Sequence, residues 1–191
     1  IIVSGATLAS VFGHLEGDSV VYLQQEGEHL VVKTGKTKTV INAFPMEEFP
    51  TLPTVEGESF TIEATTLSEG IRSVYFCAAT TEIKPEIASI FLYAEQQTLF
   101  FVATDSFRLA EKRVKIKGLP DISKILIPYK TIADFLRVLD VLSGEVKIIF
   151  SKNQLSLMSG GIYFTSRLID GAFPDYHLIL PKEEETKVVL M

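Results

Sequence analysis

The sequence predicts an α+β fold built from repeated units, each a strand, then a helix, then about three strands. Self-similarity carries most of this. Ile1-Ile2-Val3-Ser4-Gly5-Ala6-Thr7-Leu8 aligns with Ile125-Leu126-Ile127-Pro128-Tyr129-Lys130-Thr131-Ile132 at an offset of 124. The same offset pairs Phe12 with Leu136, Leu15 with Leu139, Val31 with Leu155, and Phe49-Pro50 with Phe173-Pro174, so one register holds over about 50 residues. A weaker match at offset 65 sets Phe60-Thr61-Ile62 on Ile125-Leu126-Ile127, then Leu67, Ile71 and Arg72 on Ile132, Leu136 and Arg137. The third observation is a change of period within each copy, from helical spacing to the alternation of strands.

Taken in order, an apolar strand at Ile1–Val3 leads into a helix. Glu26-Gly27-Glu28 then reads as a turn, and strands Leu30–Lys33 and Lys38–Ile41 flank Gly35-Lys36-Thr37. The Pro-rich stretch Phe49-Pro50-Thr51-Leu52-Pro53 reads as a link. After it, Phe60–Ile62 is a strand, and Leu67, Ile71 and Val74 mark a helix of about 12 residues that Thr65 or Thr66 starts. Strands follow, with a turn at Glu95-Gln96-Gln97. The second copy opens at Ile125–Ile127, Pro128 starts its helix, and Ile132, Phe135, Leu136 and Leu139 face one way. Alternation marks Val146–Phe150 and Leu155-Ser156-Leu157, with a turn at Ser151-Lys152-Asn153 between them. The expected organisation is residues 1–55 as the second half of one domain, 57–177 as a complete domain of two units, and 178–191 as a linker and the first strand of a third. The chain opens on Ile1-Ile2-Val3 and ends on Val188-Val189-Leu190-Met191, which reads as the opening of a strand, so a piece of something longer is expected.

Composition narrows the function classes. The chain has 191 residues, 47% hydrophobic and 22% charged, which is globular rather than disordered. One cysteine, Cys77, allows no intrachain disulfide and fits a reducing cytoplasm. The strongest apolar run, Ile87–Ala94, is far short of the ~20 residues that span a bilayer. A net charge of −6 speaks against a simple nucleic-acid coat but leaves room for a local basic surface. Arg72, Lys130 and Arg137 lie on the predicted helices, while most carboxylates fall in turns and strands. If the helices share one face of a continuous curved sheet, these three cations give an acidic protein a basic inner wall; on periodicity alone they are also ordinary solvated positions.

Enzyme motifs are weak. Gly35-Lys36-Thr37 lacks the glycine five positions earlier, where Leu30 stands, and joins two strands rather than a strand and a helix, so it reads as a hairpin turn. Cys77 has no Cys-x-x-Cys partner and reads as a buried thiol. His14, His29 and His177 are scattered without zinc-ligand spacing. Asp105, Asp170 and Asp175 sit in turn contexts, where Asp closes the turn. Glu183-Glu184-Glu185 reads as a solvated linker run. Ala103-Thr104-Asp105-Ser106-Phe107-Arg108-Leu109-Ala110 and Thr165-Ser166-Arg167-Leu168-Ile169-Asp170-Gly171-Ala172-Phe173-Pro174-Asp175-Tyr176 each read as a turn with a packed aromatic.

These two segments, in this order and about 60 residues apart, resemble the second domain of the bacterial DNA polymerase III beta subunit family, the DNA sliding clamps. Lys84-Pro85 before a strand at Ile87, Ile127-Pro128-Tyr129-Lys130 opening a helix, and Glu47-Glu48-Phe49-Pro50 closing the first domain extend the resemblance over essentially the whole chain. It implies the DNA clamp fold and a non-catalytic processivity subunit without cofactor. Full-length subunits would pair head to tail as a homodimer ring around duplex DNA without reading its sequence. Arg72, Lys130 and Arg137 would face the DNA. A pocket for partner peptides, from the polymerase III alpha subunit, the clamp loader and other clamp-binding proteins, would draw on Ile87, Thr104, Ser106, Phe107, Arg108, Leu109, Pro174, Leu178 and Ile179. The chain departs from the family pattern at Tyr129 and Ala6, where basic residues are frequent, at Phe107 for His, at Leu178 for Arg, and at Ala88-Ser89 for Asn-Gly. This implies a less positive wall and a more apolar pocket. Two other readings stay open: a small hydrolase-like α+β enzyme with Asp105 or Asp170 as acid or base in a cleft that raises its pKa, and a peptide-binding module independent of DNA.

Overall fold

A computed structural model describes residues 1–15, 20–35, 37–49 and 51–180. The chain divides into two compact units, Ile1–Pro53 and Thr54–Met191. In the first, helix α1 (Gly5–Gly13) is capped by Ser4, whose hydroxyl accepts the Thr7 N–H. Strands β1 (Tyr22–Glu26), β2 (His29–Lys33) and β3 (Lys38–Asn42) form an antiparallel sheet in that order. Glu26 pairs with His29 across a two-residue loop, and Gly27 takes the positive φ of +61° that such a turn requires. Thr34 and Thr37 close the next hairpin by a backbone bond of 2.9 Å; Lys36 lies outside the described residues. The strand expected at Ile1–Val3 reduces to one bridge, Ile2 to Phe44. Leu30, Val32 and Ile41 pack on Leu8 and Val11 of the helix.

The second unit runs β4 (Glu58–Glu63), α2 (Ala64–Arg72), β5 (Ser89–Glu95), β6 (Thr98–Thr104), β7 (Leu109–Lys115), then β8 (Ile122–Pro128), α3 (Tyr129–Val141), β9 (Glu145–Phe150), β10 (Gln154–Ser159) and β11 (Ile162–Arg167). Short 3-10 turns follow at Tyr75–Cys77 and Tyr176–Leu178. The strand–helix–three-strand unit thus occurs twice. Its strands, however, do not stay at home. The antiparallel sheets are β7-β6-β5-β8 and β11-β10-β9-β4, so each repeat sends its first strand into the sheet of the other. Where one continuous sheet is expected, two four-stranded sheets stand, linked where the Ile169 N–H donates to the Leu126 carbonyl.

The exchange of first strands explains the helix starts. Each helix follows its strand without a loop, so no upstream side chain is free to cap it. The Ala64 N–H instead donates to the Gly144 carbonyl and the Tyr129 N–H to the Ala88 carbonyl, both at 2.9 Å and each across to the other repeat. The start expected from Thr65 or Thr66 is therefore corrected: both lie inside α2, behind Glu63. The helix also stops at Arg72, short of the expected 12 residues. Val74 continues the apolar period from the turn beyond and is buried all the same.

One core joins the inner faces of both sheets to Leu67 and Ile71 of α2 and Ile132, Phe135, Leu136 and Leu139 of α3. Ile122 and Ile125 break the period of two, yet both reach this core. Ala94 pairs with Ile122 and Leu92 with Ile125, so β8 carries one extra residue, a bulge that resets the parity. The bulge leaves the Ser123 N–H without a ladder partner, and it donates to the Glu58 carboxylate at 3.1 Å. The alternation expected at Leu155-Ser156-Leu157 needs correction. The two leucines enter the core, but Ser156 on the other face is also fully buried and its hydroxyl has no partner among the described residues. The expected strand at 188–191 and the Glu183–Glu185 run lie outside the described residues.

Candidate functional site

α2 and α3 bury one side in the core and expose the other. On the exposed side they enclose a cleft of about 390 Å³ lined by Arg72, Lys130, Arg137, Tyr75, Tyr129 and Asp140, among others. The three cations of the sequence reading thus share one cleft. Each also holds a carboxylate. Arg72 crosses from α2 to α3 to meet Asp140 at 2.7 and 2.9 Å and donates a further bond to Ser68 at 3.2 Å. Lys130 meets Glu82 at 3.0 Å, and Arg137 meets Asp134, one turn back, at 3.2 Å.

The second group of candidates is divided among three places. Thr104, Ser106, Phe107 and Arg108 form the β6–β7 turn, where the Thr104 hydroxyl donates to the Arg108 carbonyl at 2.6 Å and accepts the Ser106 N–H at 3.1 Å. Ser106 takes a φ of +76°. Phe107 is not the packed aromatic expected there: it is 95% exposed, because the turn points it away from the sheet that would bury it. Pro174, Leu178 and Ile179 belong to the segment after β11, with Leu178 81% and Ile179 66% exposed. Ile87 precedes β5 and is buried, its carbonyl accepting the Ala79 N–H.

An apolar cluster on the outer face of sheet β7-β6-β5-β8 joins the turn to the later segment. Leu109 packs there with Phe91, Tyr93, Val102, Leu126, Phe173 and Tyr176; among the described residues Ile87 is not a member. Phe173 stacks on Phe91 at 4.7 Å and Tyr93 on Phe100 at 4.6 Å. The Tyr176 hydroxyl donates to Glu111 and lies 2.9 Å from the Tyr93 hydroxyl, while Arg113 holds Glu111 from the other side at 2.6 Å. Burial pushes both tyrosine pKa values up, with the Glu111 carboxylate adding to the effect on Tyr176. Beside this cluster Pro174 lines a groove of about 620 Å³ with Phe91, Tyr93, Phe173 and Tyr176. Tyr176 stands at the end of its motif with no role legible in the sequence, and nothing there singles out Tyr93, Glu111 or Arg113. Periodicity puts these three on one sheet face, but only the folded segment brings Tyr176 onto them.

Asp105 closes its turn. Its carboxylate accepts the Phe107 and Arg108 N–H groups at 2.9 and 2.8 Å and the Arg108 guanidinium at 2.9 Å. The Arg108 N–H first, then that of Phe107 and the guanidinium, hold its pKa down to about 2, opposite to the rise an acid catalyst at neutral pH needs. Asp170 pairs with Lys152 at 3.1 Å on the surface. A depressed carboxylate stabilises the fold above its unfolded pKa of about 3.9, and that contribution fades as pH falls through the folded value. The Asp105 carboxyl carbon is expected to titrate by NMR with a midpoint at about 2; a midpoint close to 4 would contradict the turn.

Residues 61–175 match the family model described as DNA polymerase III beta subunit, central domain. The chain belongs to the DNA polymerase III beta subunit family. It is 30% identical to the beta sliding clamp of Escherichia coli K12 over 167 residues, which are 86% of this chain and 45% of that protein. The crystal structure of the beta subunit from Pseudomonas aeruginosa superposes with a TM-score of 0.87 at 29% identity, over 96% of this chain and 50% of that one. A Pseudomonas aeruginosa sliding clamp bound to griselimycin gives 0.89, with the same identity and coverage. The fold is therefore the α+β clamp fold, and the chain spans about half the length of the curated relatives it matches. The matched region of the beta subunit family takes in Arg72, Lys130, Arg137 and Thr104–Leu109, and ends at Asp175. Tyr176, Leu178 and Ile179 lie just past it.

Proposed function

We propose that this chain is a working part of a bacterial DNA sliding clamp: the second half of a first domain, a complete central domain and the start of a third. The ring it contributes to has no catalytic role. It closes around duplex DNA as a head-to-tail homodimer in the cytoplasm and raises the local concentration of the polymerase at the primer end. The observation that best supports this is the shared cleft of α2 and α3, where Arg72, Lys130 and Arg137 converge on the exposed side of a fold matched to sliding clamps. Cations on helices meet phosphates without reading base edges. Among the described residues no helix is long and apolar enough to cross a membrane.

The β6–β7 turn, Leu109, Pro174, Leu178 and Ile179, with Ile87 nearby in sequence to β5, are the proposed docking surface for peptides of the polymerase III alpha subunit, the clamp loader and other clamp-binding proteins. Exposed Phe107, Leu178 and Ile179 suit apolar anchors of an extended peptide. The protein bearing this chain, loaded onto circular duplex, is expected to stay on the circle and to leave when the circle is cut. Leu109→Asp or Ile179→Asp should keep that behaviour and abolish peptide binding. Equal retention on circles and linear DNA refutes the clamp, and unchanged peptide affinity refutes the docking surface.

A further inference from the structure

The helical face that carries the proposed DNA contacts is charge-balanced. Asp140 reaches Arg72 from the neighbouring helix, Glu82 reaches Lys130 from the segment before β5, and Asp134 reaches Arg137 from one turn earlier on α3. Three separate routes through the fold thus end in the same arrangement, and the three cations with their three carboxylates carry no net formal charge. Pairing is not the rule for cations elsewhere. Among the described residues, Lys112, Lys115, Lys117 and Arg167 have no carboxylate within 4.0 Å.

We propose that Asp140, Asp134 and Glu82 are built-in counter-ions that compete with DNA phosphate for Arg72, Arg137 and Lys130 and keep the grip on duplex weak. The inference rests on the sliding-clamp reading of this face. A free cation that binds phosphate releases a condensed salt ion from the DNA, and each such contact steepens the fall of log K with log salt by about 0.9. A cation already held by a carboxylate must give up that partner first. The exchange cancels most of the gain in affinity, since exposed ion pairs shift an equilibrium by up to about fivefold each. Arg72 is the most firmly held, with both Asp140 oxygens and Ser68 on its guanidinium. Lys130 and Arg137 have one carboxylate contact each and exchange more readily. Contacts that are quickly made and given up suit a protein that must move along the backbone without stopping.

The test is fluorescence anisotropy with a labelled 30-base-pair duplex across a salt series, on the 191-residue chain and its variants Asp140→Asn, Asp134→Asn, Glu82→Gln and the triple variant. Each single change should raise affinity by about two- to fivefold at low salt, and the triple variant should steepen the salt slope toward about 2.7, three contacts' worth. Circular dichroism checks folding. Asp134→Asn serves as the variant that leaves the α2–α3 bridge intact. Unchanged or lower affinity in all four, while Lys130→Glu and Arg137→Glu weaken binding, overturns the counter-ion role and leaves the DNA face standing. Salt-independent binding in every protein, charge reversals included, overturns the DNA face itself.

Discussion

Phe101→Ala is expected to lower the unfolding free energy of the second unit by about 3–5 kcal/mol, the range for emptying a buried aromatic site. Phe101 is fully buried in the middle of β6, and its ring lies against Gly70 of α2. A Cβ at Gly70 would stand 2.4 Å from that ring, closer than any side chain tolerates. Gly70→Ala alone therefore overpacks the contact at about 1–3 kcal/mol, offset by the roughly 1 kcal/mol that alanine gains over glycine in a helix. The two changes are complementary in shape. In the double variant the new methyl enters space the ring has left, so the combined loss should fall below the sum of the single losses. Denaturant titration of the four proteins gives the coupling directly. Additive losses would mean that α2 does not rest on this ring.

Lys130→Glu combined with Arg137→Glu is expected to remove most of the duplex affinity of the helical face. Two phosphate contacts account for about a tenfold change in binding constant between 50 and 200 mM salt. The double reversal should flatten that dependence and weaken binding at low salt by at least as much. Arg72→Ala should do less to DNA, because its guanidinium is held by Asp140 and Ser68, and more to the junction of α2 with α3. Sequence reading assigns the three cations one role; their partners rank them. Loss of binding in Arg72→Ala equal to that of the double reversal would refute the ranking.

Much of the fold was legible because its signals are local. Helix α3 begins behind Pro128 as the sequence indicates, since proline cannot continue a strand ladder and suits a helix entry. The turns at Gly27, at Gln96-Gln97 and at Ser151–Asn153 stand between paired strands, where the sequence places them. Less legible were features set by neighbours distant in sequence. Thr65 and Thr66 are good capping residues, but the carbonyl of Gly144, supplied by the other repeat, already serves the helix start. Phe107 is apolar and its segment reads as a turn with a packed aromatic, yet the Asp105 turn holds it out in solvent.

Residue order alone established the duplication, the α+β unit, and the three cations on its helices, because periodicity and repetition are properties of one strand or helix at a time. It did not reveal that each repeat lends its first strand to the other's sheet, that a bulge in β8 turns Ile122 and Ile125 to the same side, or that every cation of the helical face arrives with a carboxylate beside it. Those depend on which surfaces meet when the chain closes around a common core. Such meetings link residues far apart in the chain, 68 positions for Arg72 and Asp140 and 83 for Tyr93 and Tyr176, where no local pattern records them.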